Sequence, residues 1–192
     1  MSRGDLERTT TVNVRRLLIG LIALGAAAVL ASVLWADLAS GTKAPDFTLP
    51  TLDGKTFTLH DSFKKPAKVV VLDLWATWCP PCRAQTPHLI ALNNKFKDKG
   101  VLMVGVAIDA ERKPVTDYAK KQGVNYTVVL DPEAKKTGAS YKIRGIPATY
   151  VIDKKGIIRF AHSGFPPDRY KEEQKKEIAK FESELRQLIA EK

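Results

Sequence analysis

Two cysteines three positions apart are the residues of this chain best suited to chemistry. Cys79 and Cys82 are the only cysteines among 192 residues, and Pro80 and Pro81 stand between them. A thiolate attacks a disulfide sulfur, and a second thiol nearby can resolve the mixed disulfide that this attack forms. The spacing therefore predicts thiol–disulfide exchange that needs no cofactor. A purely structural disulfide, or two reduced cysteines in the core, is the alternative.

The cysteines follow a predicted buried strand and open a predicted helix. Residues 68–74 form a nearly continuous β-branched and apolar run, which is typical of a strand covered on both faces. Residues 79–97 show a helical pattern. A structural cysteine pair rarely follows a tryptophan, here Trp78, and encloses two prolines at such a junction. This context favours a catalytic pair.

The helix start gives the two sulfurs different chemistry. As the helix cap, Cys79 can accept a hydrogen bond from the Cys82 N–H and lies at the positive end of the helix dipole, which lowers its thiol pKa below about 8.5. Pro80 and Pro81 carry no N–H and stiffen the first turn. We expect Cys79, as the exposed member, to be the nucleophile and Cys82, one turn further in, to be the resolving thiol.

The rest of the chain alternates predicted strands and helices and closes with a hairpin. The further predicted elements are a hairpin of strands 47–49 and 57–59, a strand at 101–108, a helix at 115–122, a strand at 127–130, a helix at 133–141, a hairpin of strands 148–152 and 157–161, and a C-terminal helix. An apolar stripe on the last helix is predicted to cover the sheet; it comprises Ile178, Phe181, Leu185, Leu188 and Ile189. This order describes an α/β sandwich around a mixed sheet.

The chain is strongly basic, with 31 Lys and Arg residues against 21 Asp and Glu residues and a net charge of +10. Such a charge suits an anionic membrane surface or an acidic partner. The basic residues are not interleaved with aromatic ones, so no nucleic acid partner is expected. Two cysteines are too few for a thiolate zinc site and the three histidines are dispersed, so no metal site is predicted.

The amino-terminal region predicts a membrane anchor. Residues 17–36 carry no charge, and at about 1.5 Å per residue this run spans the roughly 30 Å hydrocarbon core of a bilayer. Four arginines precede it, so the positive-inside rule places residues 1–16 in the cytoplasm and the remainder outside. A linker at 37–43 and an exported domain at 44–192 complete the predicted organisation. A signal sequence cleaved after Ala31 is the alternative, and it also exports the domain.

Three segments resemble thioredoxin and occur in the same order. They are residues 73–82 with the sequence DLWATWCPPC, Pro87, and residues 141–147 with the sequence YKIRGIP. The resemblance covers most of residues 66–162. Here, 65 positions separate Cys82 from Pro147, which leaves room for a strand and a helix that thioredoxin lacks. In this respect the chain resembles the exported TlpA-like and ResA-like thiol–disulfide oxidoreductases. The resemblance implies a thioredoxin-like three-layer sandwich with an N-terminal β-hairpin, a central insertion and an N-terminal transmembrane helix.

The resemblance also assigns residues that hold a substrate. In the family, the bond that corresponds to Ile146–Pro147 is cis, and its loop faces the two thiols and binds the backbone of a substrate. Ile146 would then offer backbone groups to an extended segment, as in a short β-augmentation. Trp78, Pro80 and Pro81 complete the predicted substrate-binding residues.

Asp73 matches the buried acid of thioredoxin that accepts a proton during resolution. Burial in a central strand raises the pKa of a carboxyl group, which suits a base acting on Cys82. The chain departs from thioredoxin at Gly105, where thioredoxin has a lysine. Asp109 or Glu111 could share the proton transfer, but we expect both to be solvated loop carboxylates, which is the commoner case.

Together these features predict a membrane-anchored thiol–disulfide oxidoreductase whose domain faces the periplasm or another extracytoplasmic space. The expected substrates are protein disulfides, including those of apocytochrome c, and the expected electron donor is a membrane protein of the thiol-transporter type. An oxidase or isomerase on the same fold is one alternative. A copper-binding assembly factor is another, although those proteins use CxxxC with a distant histidine where this chain has CxxC.

Overall fold

The computed structural model describes residues 40–64, 66 and 68–191. The predicted cytoplasmic tail and membrane anchor, residues 1–36, lie outside this part of the chain. Within it, no helix is both long enough and apolar enough to cross a membrane. The described residues include nearly all of the domain predicted from residue 44 onward.

This part of the chain contains seven strands and four α-helices. In order they are β1 (Thr48–Pro50), β2 (Thr56–Thr58), β3 (Val69–Trp75), α1 (Pro80–Phe96), β4 (Val101–Ala107), α2 (Arg112–Gln122), β5 (Thr127–Leu130), α3 (Thr137–Ser140), β6 (Ala148–Ile152), β7 (Ile158–Ser163) and α4 (Lys171–Ala190). Short 3₁₀ turns lie at Leu59–Phe63, Lys97–Lys99 and Pro132–Ala134. Apart from the region around α3, these bounds differ from the predicted ones by three residues or fewer.

The sheet is mixed, as predicted, with the strand order β5-β4-β3-β6-β7, and β1 pairs with β2 as a separate antiparallel hairpin. β3 lies at the centre and all seven of its residues are buried. It runs parallel to β4 and antiparallel to β6. Because both faces of β3 are covered, its sequence is a continuous apolar run rather than an alternating one.

Helices cover one face of the sheet and the hairpin covers the other. The apolar side chains that α1 and α4 bury on the first face are Leu89, Leu92, Phe96, Phe181, Leu185 and Leu188, which confirms that the C-terminal stripe packs on the sheet. The opposite face is covered by the β1–β2 hairpin together with Leu59 and Tyr141. The three layers are therefore helices, sheet, and a layer of hairpin and short helical turns.

The prediction of one helix at 133–141 is wrong. Glu133 and Ala134 have left-handed φ angles of 57° and 53°, which end the first helical turn. The Asp131 carboxylate accepts a hydrogen bond from the Thr137 N–H at 2.8 Å, and this begins a new turn at α3. The side chain of a nearby aspartate thus divides the segment into two short helical pieces.

The described end of the predicted linker is bonded to the sheet. The Gly41 N–H donates to the Ile158 carbonyl oxygen at 2.7 Å, and Lys43 forms an antiparallel bridge with Ile157. The chain is therefore attached to β7 before it enters the hairpin.

Candidate active site

Cys79 and Cys82 form a disulfide at the N-terminus of α1. Cys79 is the helix cap, and its sulfur accepts a hydrogen bond from the Cys82 N–H at 3.3 Å, as predicted. Pro80 and Pro81 occupy the first two helical positions and bring no N–H to the sulfur. The positive end of the helix dipole therefore faces the Cys79 sulfur.

The two cysteines are buried to nearly the same extent, so the prediction that Cys79 is the exposed member is wrong. The exposed fractions are 3% for Cys79 and 2% for Cys82. Ile146 packs against the buried cluster that contains both cysteines, and its carbonyl oxygen lies 3.6 Å from the Cys79 sulfur. These contacts cover Cys79. What distinguishes the two sulfurs is the helix cap, because only the Cys79 sulfur receives the first-turn N–H.

The loop that contacts Cys79 begins β6. The Ile146–Pro147 peptide bond is cis, as the resemblance implied. Pro147 is buried and Ile146 is half-buried. The Gly164 N–H donates to the Pro147 carbonyl oxygen at 2.8 Å, which fastens the loop to the end of β7. This attachment holds the Ile146 carbonyl group beside the disulfide.

Accessible apolar groups adjoin the disulfide. Trp78, immediately before Cys79, is 64% exposed. Pro80 is exposed and Pro81 is half-buried. A shallow depression of about 320 Å³ beside Pro80 is also lined by Arg83, Ala84, Tyr118, Gln122 and Asp168. The accessible surface next to Cys79 in the chain is therefore largely apolar.

Asp73 is buried in β3, as predicted, and is 2% exposed. Burial raises its carboxyl pKa from 3.8 to about 7, and a hydrogen bond from the Thr149 hydroxyl at 2.9 Å opposes that rise. Thr149 faces Asp73 from the neighbouring strand β6, and its hydroxyl oxygen also accepts a hydrogen bond from the Gln85 amide nitrogen at 3.0 Å. The carboxyl group is thereby linked to the helical turn that follows Cys82.

Gln85 and Thr149 were not predicted from the sequence as residues of this site. The available signal was a polar residue at a buried helical position, since Gln85 lies three residues after Cys82 on the face of α1 that turns inward. The partnership of Thr149 with Asp73 depends on the pairing of β3 with β6, which has no local sequence signature.

Gly105 lies opposite Asp73 in β4, where the thioredoxin resemblance has a lysine. A Cβ atom at this position would lie only 2.8 Å from the Trp75 Nε1 and 3.1 Å from a ring carbon of Tyr126. The glycine therefore makes room for the indole ring of Trp75, which is buried in the core. Position 105 brings no charge toward Asp73, and burial dominates the pKa of that carboxyl group.

The prediction that Asp109 is a solvated carboxylate is wrong, whereas Glu111 is exposed as predicted. Asp109 is 4% exposed, and it accepts hydrogen bonds from both the Thr77 N–H, at 3.1 Å, and the Thr77 hydroxyl. The Ile108 N–H donates to the Trp75 carbonyl oxygen at 3.0 Å, so strand pairing continues past β4. This pairing brings Asp109 against the turn that precedes the cysteines.

Within the described residues, no group of three or more histidine, cysteine, aspartate or glutamate side chains is arranged to hold a metal ion. His162 instead lies between two carboxylates of α4, with one ring nitrogen 2.8 Å from a Glu177 oxygen and the other 2.8 Å from a Glu184 oxygen. These contacts fasten α4 to β7.

Known proteins are similar in sequence to this chain. Residues 39–179 match the Redoxin family. The chain is 33% identical over 122 residues to the thiol-disulfide oxidoreductase ResA of Bacillus subtilis (strain 168), covering 64% of this chain and 66% of ResA. It is 32% identical over 148 residues to the thiol:disulfide interchange protein DsbE of Escherichia coli (strain K12), covering 77% of this chain and 78% of DsbE.

A solved structure shares the fold. It is a thiol:disulfide interchange protein of the thioredoxin family from Chlorobium tepidum TLS, with a TM-score of 0.64 at 28% identity, and the match covers 81% of this chain and 100% of that chain. The thioredoxin-like α/β fold implied by the sequence is thus confirmed. With the Cys79–Cys82 disulfide at the start of α1, these matches show that the chain belongs to the Redoxin family and is a thiol–disulfide oxidoreductase.

Proposed function

We propose that this protein is a membrane-anchored, extracytoplasmic reductase of protein disulfides. The observation that carries the proposed direction is the number of backbone N–H donors at the sulfur of Cys79, because one donor stabilises a thiolate less than several do. That sulfur is buried and receives one first-turn N–H, that of Cys82, because Pro80 and Pro81 have none. A strongly stabilised reduced form makes an oxidant, whereas a weakly stabilised thiolate gives up its electrons more readily.

In the proposed reaction, the Cys79 thiolate attacks one sulfur of the substrate disulfide. A bond forms between Cys79 and that sulfur, and the other substrate sulfur leaves as a thiolate. Cys82 then transfers its proton to Asp73 and attacks the Cys79 sulfur, which releases the second substrate thiolate. The two substrate thiolates take up two protons in all, which balance the one that Cys79 released to water on ionisation and the one that Asp73 passes on when it ionises again. The dithiol loses two electrons to the substrate disulfide, and the Cys79–Cys82 disulfide forms.

Two features support the role of Asp73 as the proton acceptor. Its carboxyl pKa of about 7 is suited to proton transfer near neutral pH. Its side chain is also connected through Thr149 to Gln85, which lies one helical turn after Cys82. Asp73 is therefore proposed to serve the buried resolving thiol rather than Cys79.

The proposed substrate site is the surface that adjoins Cys79. Ile146 presents its carbonyl oxygen 3.6 Å from the Cys79 sulfur and is followed by the cis bond to Pro147. An extended substrate segment can hydrogen-bond to this backbone while its side chains contact Trp78, Pro80 and Pro81. Because backbone hydrogen bonds do not depend on the side chains of the substrate, this site can bind different protein disulfides.

The proposed location is the outer side of the cytoplasmic membrane. The uncharged run at 17–36 and the arginines before it support an anchor in that orientation. An exported reductase is separated from cytoplasmic reductants, so its disulfide requires a membrane protein that carries thiol electrons across the bilayer. Apocytochrome c is a proposed substrate. Protease added to intact spheroplasts should degrade the domain at residues 44–192, and protection of that domain would contradict the orientation.

The reduction potential of the Cys79–Cys82 pair tests the proposed direction. The full-length chain, kept in detergent because of its apolar run, would be equilibrated with a series of dithiothreitol or glutathione buffers. We expect a potential near or below about −270 mV, as for thioredoxin. A value near about −120 mV would identify a disulfide donor instead. The Cys79→Ser variant is the control, because it cannot form the intramolecular disulfide.

A further inference from the structure

Three buried side chains form a continuous hydrogen-bonded chain behind the disulfide. The Thr149 hydroxyl oxygen lies 2.9 Å from Asp73 Oδ1 and 3.0 Å from Gln85 Nε2. Asp73 is 2% exposed, and Gln85 and Thr149 are each 1% exposed. Water cannot easily replace these hydrogen bonds, so the groups must satisfy one another.

The direction of the hydrogen bonds follows from the chemistry of the three groups. An amide nitrogen can only donate, so Gln85 donates to the Thr149 oxygen. The single hydroxyl proton of Thr149 is then available for Asp73 Oδ1, which accepts it. This arrangement suits the ionised carboxylate. The Gln85 Oε1 atom is also buried and has no protein partner among the described residues.

The same three groups can also be hydrogen-bonded in the opposite direction. When Asp73 carries a proton on Oδ1, it can donate to the Thr149 oxygen, and the Thr149 hydroxyl can rotate to donate elsewhere. If the Gln85 amide turns by about 180°, its oxygen takes the place of its nitrogen and accepts the hydroxyl proton of Thr149. The amide oxygen that lacks a partner in the first arrangement gains one in the second.

We propose that Gln85 and Thr149 are positioning residues that form a reversible hydrogen-bond chain, in which the Gln85 amide turns over each time Asp73 gains or loses a proton. Threonine and glutamine suit this task because each both donates and accepts, so the links from Asp73 to Thr149 and from Thr149 to Gln85 can be kept in either state of Asp73. The inference rests on the proposed function, in which Asp73 exchanges a proton with Cys82. It adds that the protonation of Asp73 is transmitted to α1, one turn after Cys82.

Nuclear magnetic resonance of the oxidised full-length chain in detergent tests this inference. The ¹³C carboxyl signal of Asp73 and the ¹⁵N side-chain signal of Gln85 would be followed from pH 5 to pH 9. We expect both signals to titrate with one midpoint. The Asn93 side-chain amide is the control, because it is buried and donates to the Asn125 carbonyl oxygen instead; its signal should stay constant. A Gln85 signal that stays constant while Asp73 titrates would overturn the proposal.

Two variants of one residue separate the hydrogen-bond chain from general packing. Thr149→Val keeps the shape but removes the hydroxyl, so the Gln85 signal should no longer follow Asp73, and the Asp73 midpoint should rise by about one pH unit. Thr149→Ser keeps the hydroxyl and should retain the wild-type coupling. Coupling that survives in Thr149→Val would contradict the proposal. If that variant does not fold, the wild-type titration still decides.

These titrations need no substrate and no turnover, so they do not depend on the direction of the reaction. A reduction potential typical of an oxidant would remove the proposed reductase function while leaving the coupling of Gln85 to Asp73 intact. A low reduction potential together with a Gln85 signal that does not follow Asp73 would contradict only the hydrogen-bond chain. The two failures are therefore distinguishable.

Discussion

The Asp109 carboxylate accepts hydrogen bonds from both the backbone N–H and the hydroxyl of Thr77. Thr77 lies two residues before Cys79, and Asp109 follows β4, so the bond joins the cysteine turn to the segment that follows the neighbouring strand. Asp109 is almost fully buried, and both Thr77 donors depend on it. We infer that this contact holds the turn in place while the sulfurs change partners.

Removal of the Asp109 carboxylate should loosen the turn. Asp109→Ala leaves two partly buried donors of Thr77 without a partner, which costs about 1–3 kcal/mol in the free energy of unfolding and should also slow disulfide exchange. Asp109→Asn keeps one acceptor oxygen and should lose less. Urea unfolding and exchange rates provide the measurement. Glu111→Ala is the control, because Glu111 is exposed and the change should stay within about 0.5 kcal/mol.

Single cysteine variants should reveal which thiol attacks the substrate. In Cys82→Ser, the Cys79 thiolate can form a mixed disulfide that no second thiol resolves, so a peptide with one disulfide should be trapped as a stable adduct. Cys79→Ser should trap little or none. Mass spectrometry of the unreduced protein detects the adduct. Because the two cysteines are equally buried, trapping by Cys79→Ser alone would reverse the assigned roles.

The stability of the protein should fall as the pH rises toward 7, because Asp73 resists ionisation in the folded state. Its carboxyl pKa is raised from 3.8 to about 7, so the unfolded chain releases this proton first. Between pH 3.8 and about 7 the folded state binds more protons than the unfolded state, so the free energy of unfolding falls as the pH rises. The full pKa shift corresponds to a loss of roughly 4 kcal/mol.

The Asp73→Asn variant isolates this contribution. It cannot ionise and keeps an oxygen to accept the Thr149 hydrogen bond, so its unfolding free energy should exceed that of the wild type at pH 8 but not at pH 4. Urea unfolding at several pH values measures the difference. Equal pH dependence in both proteins would show that Asp73 does not titrate in this range.

Addition of one methyl group at Gly105 should destabilise the protein. The new Cβ of Gly105→Ala would lie 2.8 Å from the Trp75 Nε1, so the buried indole ring must move. Overpacking of this kind costs about 1–3 kcal/mol. Thermal or urea unfolding provides the measurement. Gly145→Ala is a matched control, because nothing lies within 4 Å of its Cβ, and equal losses in both variants would contradict the steric explanation.

Loss of the Trp78 ring should weaken substrate binding with little effect on stability. The ring is 64% exposed, so Trp78→Ala removes few internal contacts. We expect KM for a protein disulfide to rise several-fold with a small change in unfolding free energy. Tyr170→Ala is the comparison, because Tyr170 is the other exposed large hydrophobic residue described and is 44% exposed. An unchanged KM in Trp78→Ala would remove Trp78 from the substrate site.

Features that depend on neighbours along the chain could be predicted from the sequence. The helix cap at Cys79, the buried strand at Asp73 and the two hairpins each arise within a few residues, through backbone hydrogen bonding and the period of the apolar pattern. The cis bond at Pro147 is different, because it was implied only by the resemblance to thioredoxin. The membrane anchor at 17–36 stays a prediction.

Only the tertiary structure decided which distant residues share an environment. Ile146 covers Cys79 from 67 positions away, and Thr77 is 32 positions from the Asp109 carboxylate that it bonds. Gln85 and Thr149 are 64 positions apart. Such contacts depend on strand order and on which face of the sheet each helix covers. Local periodicity indicates that a residue is buried or polar, whereas its partner is set by the packing of the whole domain.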